Sequence, residues 1–409
     1  LHKAIRRQRQ MCIRDSLFIS GIAAGAGIMA AQYWGKQDAA SIEKVIPIAL
    51  RTNLLFSGLF TILAGFCPEM LMRIFTNDAA LVASGSQYLR AVALSYVLCG
   101  ISQVYLILLK NTGHAAVSSR ISSTAVVLNI ILNAILIYGL CGAPALGIRG
   151  AAYATVAARV VELIWAYLET KKPERVRILW NRLFSSAGKI LSEDFWRYTL
   201  PVLAASLVWG IAYVLYSVIM GHMGSDAVAA NSITSIAKSL LSCLIRGVSG
   251  GAGVLIGNLL GANELEKARE YGGRLSHLSI AIGIVTGGLL MLISPAIVHF
   301  APLSDTAAEY LQYMLLFCGL NLMAQSVNTT VLDGIFCAGG DAKFDMQGNI
   351  GAMWCFSVPL GFLAAFWLKL PVMVVYCIVN LDEIVKLPAV YHHYKKYIWV
   401  RNITRDIED

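Results

Sequence analysis

Long apolar runs, separated by short polar segments, follow one another along almost the whole chain. A helix needs roughly 20 apolar residues to cross the hydrocarbon core of a bilayer. We count about eleven such runs, near residues 17–35, 46–67, 86–109, 118–140, 150–168, 198–220, 227–261, 274–300, 307–336, 346–368 and 371–391. The strands of a membrane β-barrel would instead alternate in runs of about ten residues. The pattern predicts an all-α, polytopic membrane protein.

Composition and charge agree with a bilayer environment. Of the 409 residues, 57% are hydrophobic and 14% are charged, which is more apolar surface than one water-soluble globule can bury. The net charge of +9 is not gathered in one patch. Basic residues crowd the segments 171–197, 267–274 and 395–405, whereas the loops 221–226 and 299–305 contain no Lys or Arg. This positive-inside pattern places the C-terminus in the cytoplasm, and no nucleic-acid partner is expected.

One glycine-rich stretch occurs twice. Ser20–Asp38 (SGIAAGAGIMAAQYWGKQD) returns 226 residues later as Arg246–Glu264 (RGVSGGAGVLIGNLLGANE). Small residues let helix backbones approach one another in lipid, so each copy is expected to be a closely packed helix that ends at the cytoplasmic side. Two further pairs support a duplication: 68–78 matches 295–305, and 110–115 matches 337–342 with Gly113 on Gly340. Duplicated bundles commonly hold a mid-membrane substrate site between their halves.

The start of the chain does not fit this topology. Residues 1–16 contain Lys3, Arg6, Arg7, Arg9 and Arg14. Eleven spans and a cytoplasmic C-terminus would place this basic cluster outside, where it is disfavoured. We therefore expect a non-native leader at 1–16 and a missing first helix. The other expected ranges are an N-lobe at 17–170 (helices 2 to 6), a cytoplasmic linker at 171–197 with a short interfacial helix near 176–191, a C-lobe at 198–393 (helices 7 to 12) and a cytoplasmic tail at 394–409.

Several motifs, in order and spacing, resemble those of multidrug and toxic compound extrusion (MATE) transporters. They include GAGIMAAQYWGKQD, AVAANSITSIAKSLL (227–241), GGAGVLIGNLLGANELEKA, GIFCAGGDAKF (334–344) and LDEIVKLPAVYHHYKK (381–396). The resemblance extends from residue 17 to about residue 405. It implies two pseudo-symmetric six-helix bundles that work by alternating access. It also implies antiport of amphipathic, often cationic organic compounds against Na⁺ or H⁺ in a bacterial cell membrane, with no cofactor besides the coupling ion.

Polar side chains inside the spans are the candidates for binding substrate or the coupling cation, because such groups usually face a bundle interior or a cavity. Lys238 and Arg246 share one face of the span 227–261. A second polar stripe, repeating every four residues in the span 307–336, consists of Asn321, Gln325, Thr329 and Asp333. Lys238 is interpreted either as a buried cation paired to a carboxylate or as a group that changes partner when a cation enters. Asp333 is interpreted either as a coupling acid or as an acid that faces the interface.

Three further charged groups lie in the last span. Asp382 and Glu383 precede Lys386 by four and three residues, a spacing that forms ion pairs within one helix. Either acid could instead pair with Lys238, and the sequence leaves both arrangements open.

The first lobe offers Asn129 and Asn133, one helical turn apart. In proton-driven members of the family, this span resembles an Asn followed four residues later by an Asp, and here that second position is Asn133. Where Na⁺-linked members show carboxylates, this sequence has Trp209 and Ser326. Coupling is therefore expected to depend mainly on Lys238, Asp333, Asp382 and Glu383.

Other classes of protein are disfavoured. The sequence has no Gly-rich phosphate loop, zinc motif or nucleophile elbow, so neither ATP-driven transport nor enzymatic activity is expected. The nine cysteines are scattered singly, without metal-ligand spacing. Small organic substrates, the surrounding lipid and a monomeric state are expected. The alternative is a lipid-linked oligosaccharide flippase of the same superfamily. Only two basic residues, Lys238 and Arg246, lie in these polar stripes, which argues against that alternative.

Overall fold

A computed structural model of the chain describes residues 2–73, 79–142, 144–178, 180, 183 and 188–406, with side chains from residue 17. Within these residues every regular element is a helix. The chain divides into two compact units. Unit 1 comprises Leu1–Leu203 with Asp406–Asp409, and unit 2 comprises Ala204–Arg405.

Unit 1 is built from seven helices and the start of an eighth. They are α1 (His2–Gly35), α2 (Ala39–Phe66), α3 (Pro68–Arg73), α4 (Ala79–Val92), α5 (Leu94–Leu109), α6 (Ala115–Tyr138) and α7 (Ile148–Thr170), followed by α8 (Lys189–Gly221), which continues into unit 2. A kink at Lys110–His114, where Thr112 and Gly113 have non-helical backbone angles, joins α5 to α6. Tyr105, Leu106, Leu109, Ile121 and Ala166 form a buried apolar cluster that fixes α5, α6 and α7 against one another.

Unit 2 contains the rest of α8 and seven further helices. They are α9 (Ser225–Gly261), α10 (Leu265–Phe300), α11 (Asp305–Thr329), α12 (Ala342–Asn349), α13 (Val358–Phe362), α14 (Val372–Val379) and α15 (Asp382–Tyr394). Three π-helical segments, Thr330–Phe336, Ile350–Ser357 and Leu363–Trp367, continue α11, α12 and α13. A buried apolar cluster that includes Ile245, Leu290, Leu315 and Tyr376 packs α9, α10, α11 and α14 together.

All eleven apolar runs are helical, which confirms the prediction of an all-α, multi-pass protein. In the described residues, however, only nine continuous stretches are long and apolar enough to span a membrane. The first difference is that the 45-residue stretch Leu94–Tyr138 holds two of the runs, because α5 and α6 are separate helices on either side of a kink at Thr112 and Gly113. The second is that the last run is interrupted at Asn380–Leu381, between α14 and α15.

The repeated stretch forms the same turn in both units. Gln37 and Asn263, which are 226 residues apart, both have positive φ angles, of 63° and 61°. Each turn also has three hydrogen bonds from a main-chain amide to a main-chain oxygen, and the three correspond between the units. In unit 1 they join Lys36 to Gln32, Gln37 to Trp34 and Asp38 to Tyr33. In unit 2 they join Ala262 to Asn258, Asn263 to Leu260 and Glu264 to Leu259. The matched glycines Gly113 and Gly340 both have left-handed φ angles, of 80° and 72°.

The expected domain ranges stay predictions. α1 runs as one helix from the proposed leader into the first span. The interfacial helix expected near 176–191 falls partly outside the described residues. Of the residues that are described there, 176–178 are not helical and 189–191 belong to α8. Residues 74–78 of the matched segment 68–78 also lie outside the described part of the chain.

Candidate functional site

The break between α14 and α15 exposes main-chain groups that a continuous helix would use. At the break, the side-chain amide of Asn380 donates to the main-chain oxygen of Tyr376 (3.0 Å), and such local bonds compete with helix continuation. The amide of Ile384 bonds to the oxygen of Leu381 rather than to that of Asn380. The oxygen of Asn380 instead accepts a hydrogen bond from Nδ2 of Asn321, on α11 (2.5 Å).

Lys238 joins this arrangement from α9. Its Nζ donates to Oδ1 of Asn321 at 2.9 Å. Among the residues that the structure describes, no carboxylate lies within ion-pair distance of Lys238, although the charges of Asp382 and Glu383 act on it. The described structure therefore does not pair Lys238 directly with a carboxylate, which was one of the two arrangements expected. Instead, the side chain of Asn321 is hydrogen-bonded both to Lys238 and to the main chain at the break before α15.

The acids of α15 pair within their own helix. Nζ of Lys386 lies 3.1 Å from Oε1 of Glu383 and 3.8 Å from Oδ2 of Asp382. All three residues are buried. The spacing noted in the sequence thus forms the intrahelical ion pairs that it allowed.

Two asparagines connect these charges to neighbouring elements. Nδ2 of Asn328, on α11, donates to both the side-chain Oε2 (2.8 Å) and the main-chain oxygen (2.6 Å) of Glu383. Nζ of Lys386 donates to Oδ1 of Asn349, on α12 (3.2 Å), and Nδ2 of Asn349 donates to Asp345 (3.0 Å). The charges on α15 are therefore fixed to α11 and α12. Sequence reasoning missed Asn328, Asn349 and Asp345, although the four-residue spacing of the last two was a visible signal.

Asp333 and Arg246 lie at a more open part of the same region. Asp333 is on the π-helical continuation of α11, is itself exposed and interacts electrostatically with Arg246, Lys386 and Glu383. The Arg246 guanidinium lies 5.7 Å from the ring centre of Trp209, a cation–π distance. The seven charged residues form what we call the unit 2 charge cluster: Lys238, Arg246, Asp333, Asp345, Asp382, Glu383 and Lys386.

This cluster has four carboxyl groups and three basic groups. Uncompensated charge is strongly disfavoured away from water. The cluster as built is therefore one positive charge short, which one proton or one monovalent cation could supply. A cavity of about 20 Å³ lies beside Lys238, lined by Tyr213, Tyr216, Asn231, Ser235 and Tyr376. That volume suits a water molecule or a single ion.

Gln325 is buried on α11 but lies outside these contacts. Its Oε1 has no hydrogen-bond partner among the described residues, and Ser326, beside it, donates to the main-chain oxygen of Ser279 (2.7 Å). The expected stripe on α11 is thus divided: Asn321 and Asp333 take part in the polar region, and Gln325 supplies an unused acceptor.

Of the two first-lobe candidates, Asn129 lines a separate cavity in unit 1, and Asn133 is bonded to Asn129. Nδ2 of Asn133 donates to Oδ1 of Asn129 (3.0 Å), and Nδ2 of Asn129 lies 3.4 Å from the hydroxyl of Thr155, on α7. The unit 1 cavity has a volume of about 230 Å³, and its lining includes Gln103, Ser122, Asn129, Thr155, Arg159 and Glu162.

A buried ion pair in this cavity was missed from the sequence. Glu162 is only 2% exposed, its Oε2 lies 2.5 Å from Arg159 NH1, and it also accepts from Ser102 on α5 (3.3 Å). Two opposite charges three residues apart in an otherwise apolar span were the available signal. Because the two charges cancel, this cavity does not share the charge deficit of the unit 2 charge cluster.

Helices that span a membrane and buried charges beside small cavities are features of a polytopic membrane transporter. Comparison with known proteins identifies the family. The family model MatE matches residues 16–135 and 201–363, more than half of the chain. The chain belongs to the MATE family of multidrug efflux transporters and is not an enzyme.

Individual relatives are distant but extend over most of the chain. The uncharacterized transporter YisQ of Bacillus subtilis is 20% identical over 94% of this chain and 84% of its own length. The probable multidrug resistance protein YoeA of the same organism is 21% identical over 96% of this chain and 85% of its own length.

Solved structures show the same fold. A MOP superfamily transporter from Pyrococcus furiosus, described by the reverse polarity of its binding pocket, superposes with a TM-score of 0.87 at 18% identity and covers 97% of this chain and 87% of its own. A MATE structure in complex with MaL6 superposes with a TM-score of 0.86 at 19% identity, over 97% of this chain and 88% of its own. The predicted MATE fold is confirmed.

Proposed function

We propose that this protein is a cation-coupled antiporter that exports small amphipathic organic compounds and uses the unit 2 charge cluster to bind the coupling ion. The observation that carries the proposal is the surplus of one carboxyl group in that cluster. One H⁺ or one Na⁺ per cycle would neutralise it. We further propose a bacterial cell membrane and a monomeric state, as expected from the family resemblance.

The contacts suggest how ion binding could be coupled to a change of conformation. Asn328 and Asn349 hold the ends of the Glu383–Lys386 pair, and Asn321 links Lys238 to the break before α15. A proton or cation that neutralises Glu383 or Asp382 weakens their attraction for Lys386. The hydrogen bonds that hold the start of α15 then change partners, and two packings of α15 acquire different stabilities. Ion binding shifts the balance between them, which is the requirement for alternating access.

The substrate region that we propose is the unit 1 cavity. Its volume of about 230 Å³ is more than ten times the volume of about 20 Å³ beside Lys238 and approaches the range for organic ligands. The amides of Gln103 and Asn129 and the hydroxyl of Thr155 supply hydrogen bonds. The Arg159–Glu162 pair offers a carboxylate that a cationic substrate could share.

Efflux of ethidium from cells or proteoliposomes tests the proposal, with the Na⁺ gradient and the pH gradient varied separately. Glu383→Gln and Lys238→Gln should each abolish ion-driven efflux while the protein remains inserted at normal abundance. Glu270→Gln is the matched control, because Glu270 is an exposed acid paired to Arg274 on α10, outside the cluster. Unchanged efflux in both cluster variants would refute the proposal, as would an equal loss in the control.

A further inference from the structure

A broad groove opens on the surface of unit 1, between α2 and the start of α8. Its volume is about 640 Å³, and Arg51, Lys189, Ser192, Glu193, Trp196 and Arg197 line it. Three of these side chains are basic and one is acidic. None belongs to the unit 2 charge cluster or to the unit 1 cavity, so the transport proposal leaves this groove unexplained.

From the starts of the apolar runs of α2 and α8, we infer that the groove lies where the lipid headgroups meet the hydrocarbon. The apolar run of α8 begins near residue 198, so Arg197 precedes it directly. Arg51 lies about five residues inside the apolar run of α2, or roughly 8 Å at 1.5 Å per residue, and its side chain lines the same groove. Trp196 is 38% exposed and Leu200 is 58% exposed. Trp side chains are enriched at this level of the bilayer.

We propose that the groove binds the headgroup of an anionic phospholipid from the cytoplasmic leaflet. Basic pockets between membrane helices on the cytoplasmic side are suited to anionic headgroups, and guanidinium groups match the geometry of phosphate oxygens. Arg197 and Lys189, both exposed on α8, hold the phosphate, and Arg51 on α2 adds positive charge to the opposite wall of the groove. Trp196 and Leu200 contact the glycerol and the upper acyl chains. The same basic side chains repel the positively charged ammonium group of a zwitterionic headgroup, so a zwitterionic lipid binds less well.

Glu193 tunes the affinity of the groove. It lies one turn after Lys189, with 4.0 Å between Oε1 and Nζ, and both side chains are largely exposed, at 65% and 90%. Such a pair is weak, so Lys189 can turn toward a phosphate. Glu193 also repels that phosphate. Removing the charge of Glu193 should strengthen lipid binding, whereas removing the basic charges should weaken it, so the proposal can be tested in both directions.

Native mass spectrometry of the purified full chain tests the proposal, with phosphatidylglycerol and phosphatidylcholine supplied at equal concentration. The wild type should retain phosphatidylglycerol in preference. Each basic side chain near an anionic surface is worth about a fivefold change in affinity, so Lys189→Gln/Arg197→Gln should lower phosphatidylglycerol retention by roughly 25-fold. Glu193→Gln should raise it severalfold. Inorganic phosphate at millimolar concentration should not displace the lipid.

The matched control is Lys267→Gln/Arg274→Gln, which removes two basic charges at the start of α10, outside the groove. It should retain phosphatidylglycerol like the wild type. Three results would overturn the proposal: no lipid preference in the wild type, equal losses in both double variants, or displacement by inorganic phosphate. If the groove variant does not fold, Glu193→Gln decides, because unchanged retention in that variant also contradicts the proposal. None of these readouts depends on transport activity.

Discussion

In unit 1 the buried carboxylate of Glu162 is neutralised by Arg159 on the same helix, whereas in unit 2 the ion pair on α15 is bonded through Asn328 and Asn349 to two other elements. The first arrangement is balanced and local. The second is one positive charge short and spans several helices. A change of charge in unit 2 therefore reaches the packing of α15, while a change in unit 1 stays within one cavity. This difference is why we place ion coupling in unit 2 and substrate contact in unit 1.

The repeated glycine-rich stretch shows a second difference between the units. The backbone turn is the same in both, but the glycines before it are not equally enclosed. A Cβ on Gly25 would lie 2.7 Å from Cα of Thr199, whereas no described atom lies within 4 Å of the corresponding position on Gly251. The two copies of the stretch therefore share the backbone turn but differ in how closely their glycines are packed against neighbouring residues.

The largest effect is expected from Lys386→Met. The variant leaves Glu383 and Asp382 buried without their direct ion partner, and breaking a buried pair in this way costs about 3–5 kcal/mol. Thermal unfolding in detergent should show a clear loss of stability. Lys386→Met/Glu383→Gln removes both charges and should recover part of it. A single variant as stable as wild type would show that the network is not a structural unit.

A smaller effect is expected from Gly25→Ala, with Gly251→Ala as its matched control. The new methyl at position 25 meets the backbone of Thr199, which cannot move away as a flexible side chain can. Overpacking of this kind costs about 1–3 kcal/mol. Gly251→Ala has open space, and the higher helix propensity of Ala favours it by up to about 1 kcal/mol. Equal unfolding midpoints for the two variants would contradict the packing difference.

The sequence was sufficient for the features that depend on local pattern. The apolar runs predicted the helices, and the offset of 226 residues paired Gln37 with Asn263 in the same left-handed turn. It was insufficient wherever a partner comes from another helix. The spacing of Asp382, Glu383 and Lys386 allowed an intrahelical pair, but nothing local indicated Asn328 as the group that fixes Glu383. Nor did the continuous apolar run at 371–391 reveal the interruption at Asn380, which depends on a side-chain hydrogen bond.

The third effect concerns the unit 1 cavity. Glu162→Gln keeps an acceptor for Ser102 and Arg159 but removes the charge, and a hydrogen bond to a charged group is worth about 1.5–3 kcal/mol at most. Because Arg159 is 35% exposed, solvent screens part of the loss, and we expect about 1 kcal/mol. The coupling ratio of ions to substrate should not change, but the apparent affinity for a cationic substrate should fall. A loss of ion coupling as complete as that of Glu383→Gln would reverse the roles that we give to the two units.

The smallest effect is expected from Asp406→Asn, at the surface of unit 1. Asp406 accepts a hydrogen bond from Lys36 (2.6 Å), which lowers the pKa of the Asp406 carboxyl. A carboxyl group whose pKa is lower in the folded state stabilises the fold above its unfolded pKa, about 3.9, and loses that contribution as the pH falls through the folded pKa. Asp406 is 94% exposed, and such surface pairs contribute little. The unfolding midpoint of the variant should therefore match that of the wild type at pH 7 and at pH 3 alike. A measurable difference at pH 7 that disappears at pH 3 would show that a surface ion pair matters in unit 1, and would weaken the contrast with the buried pair in unit 2.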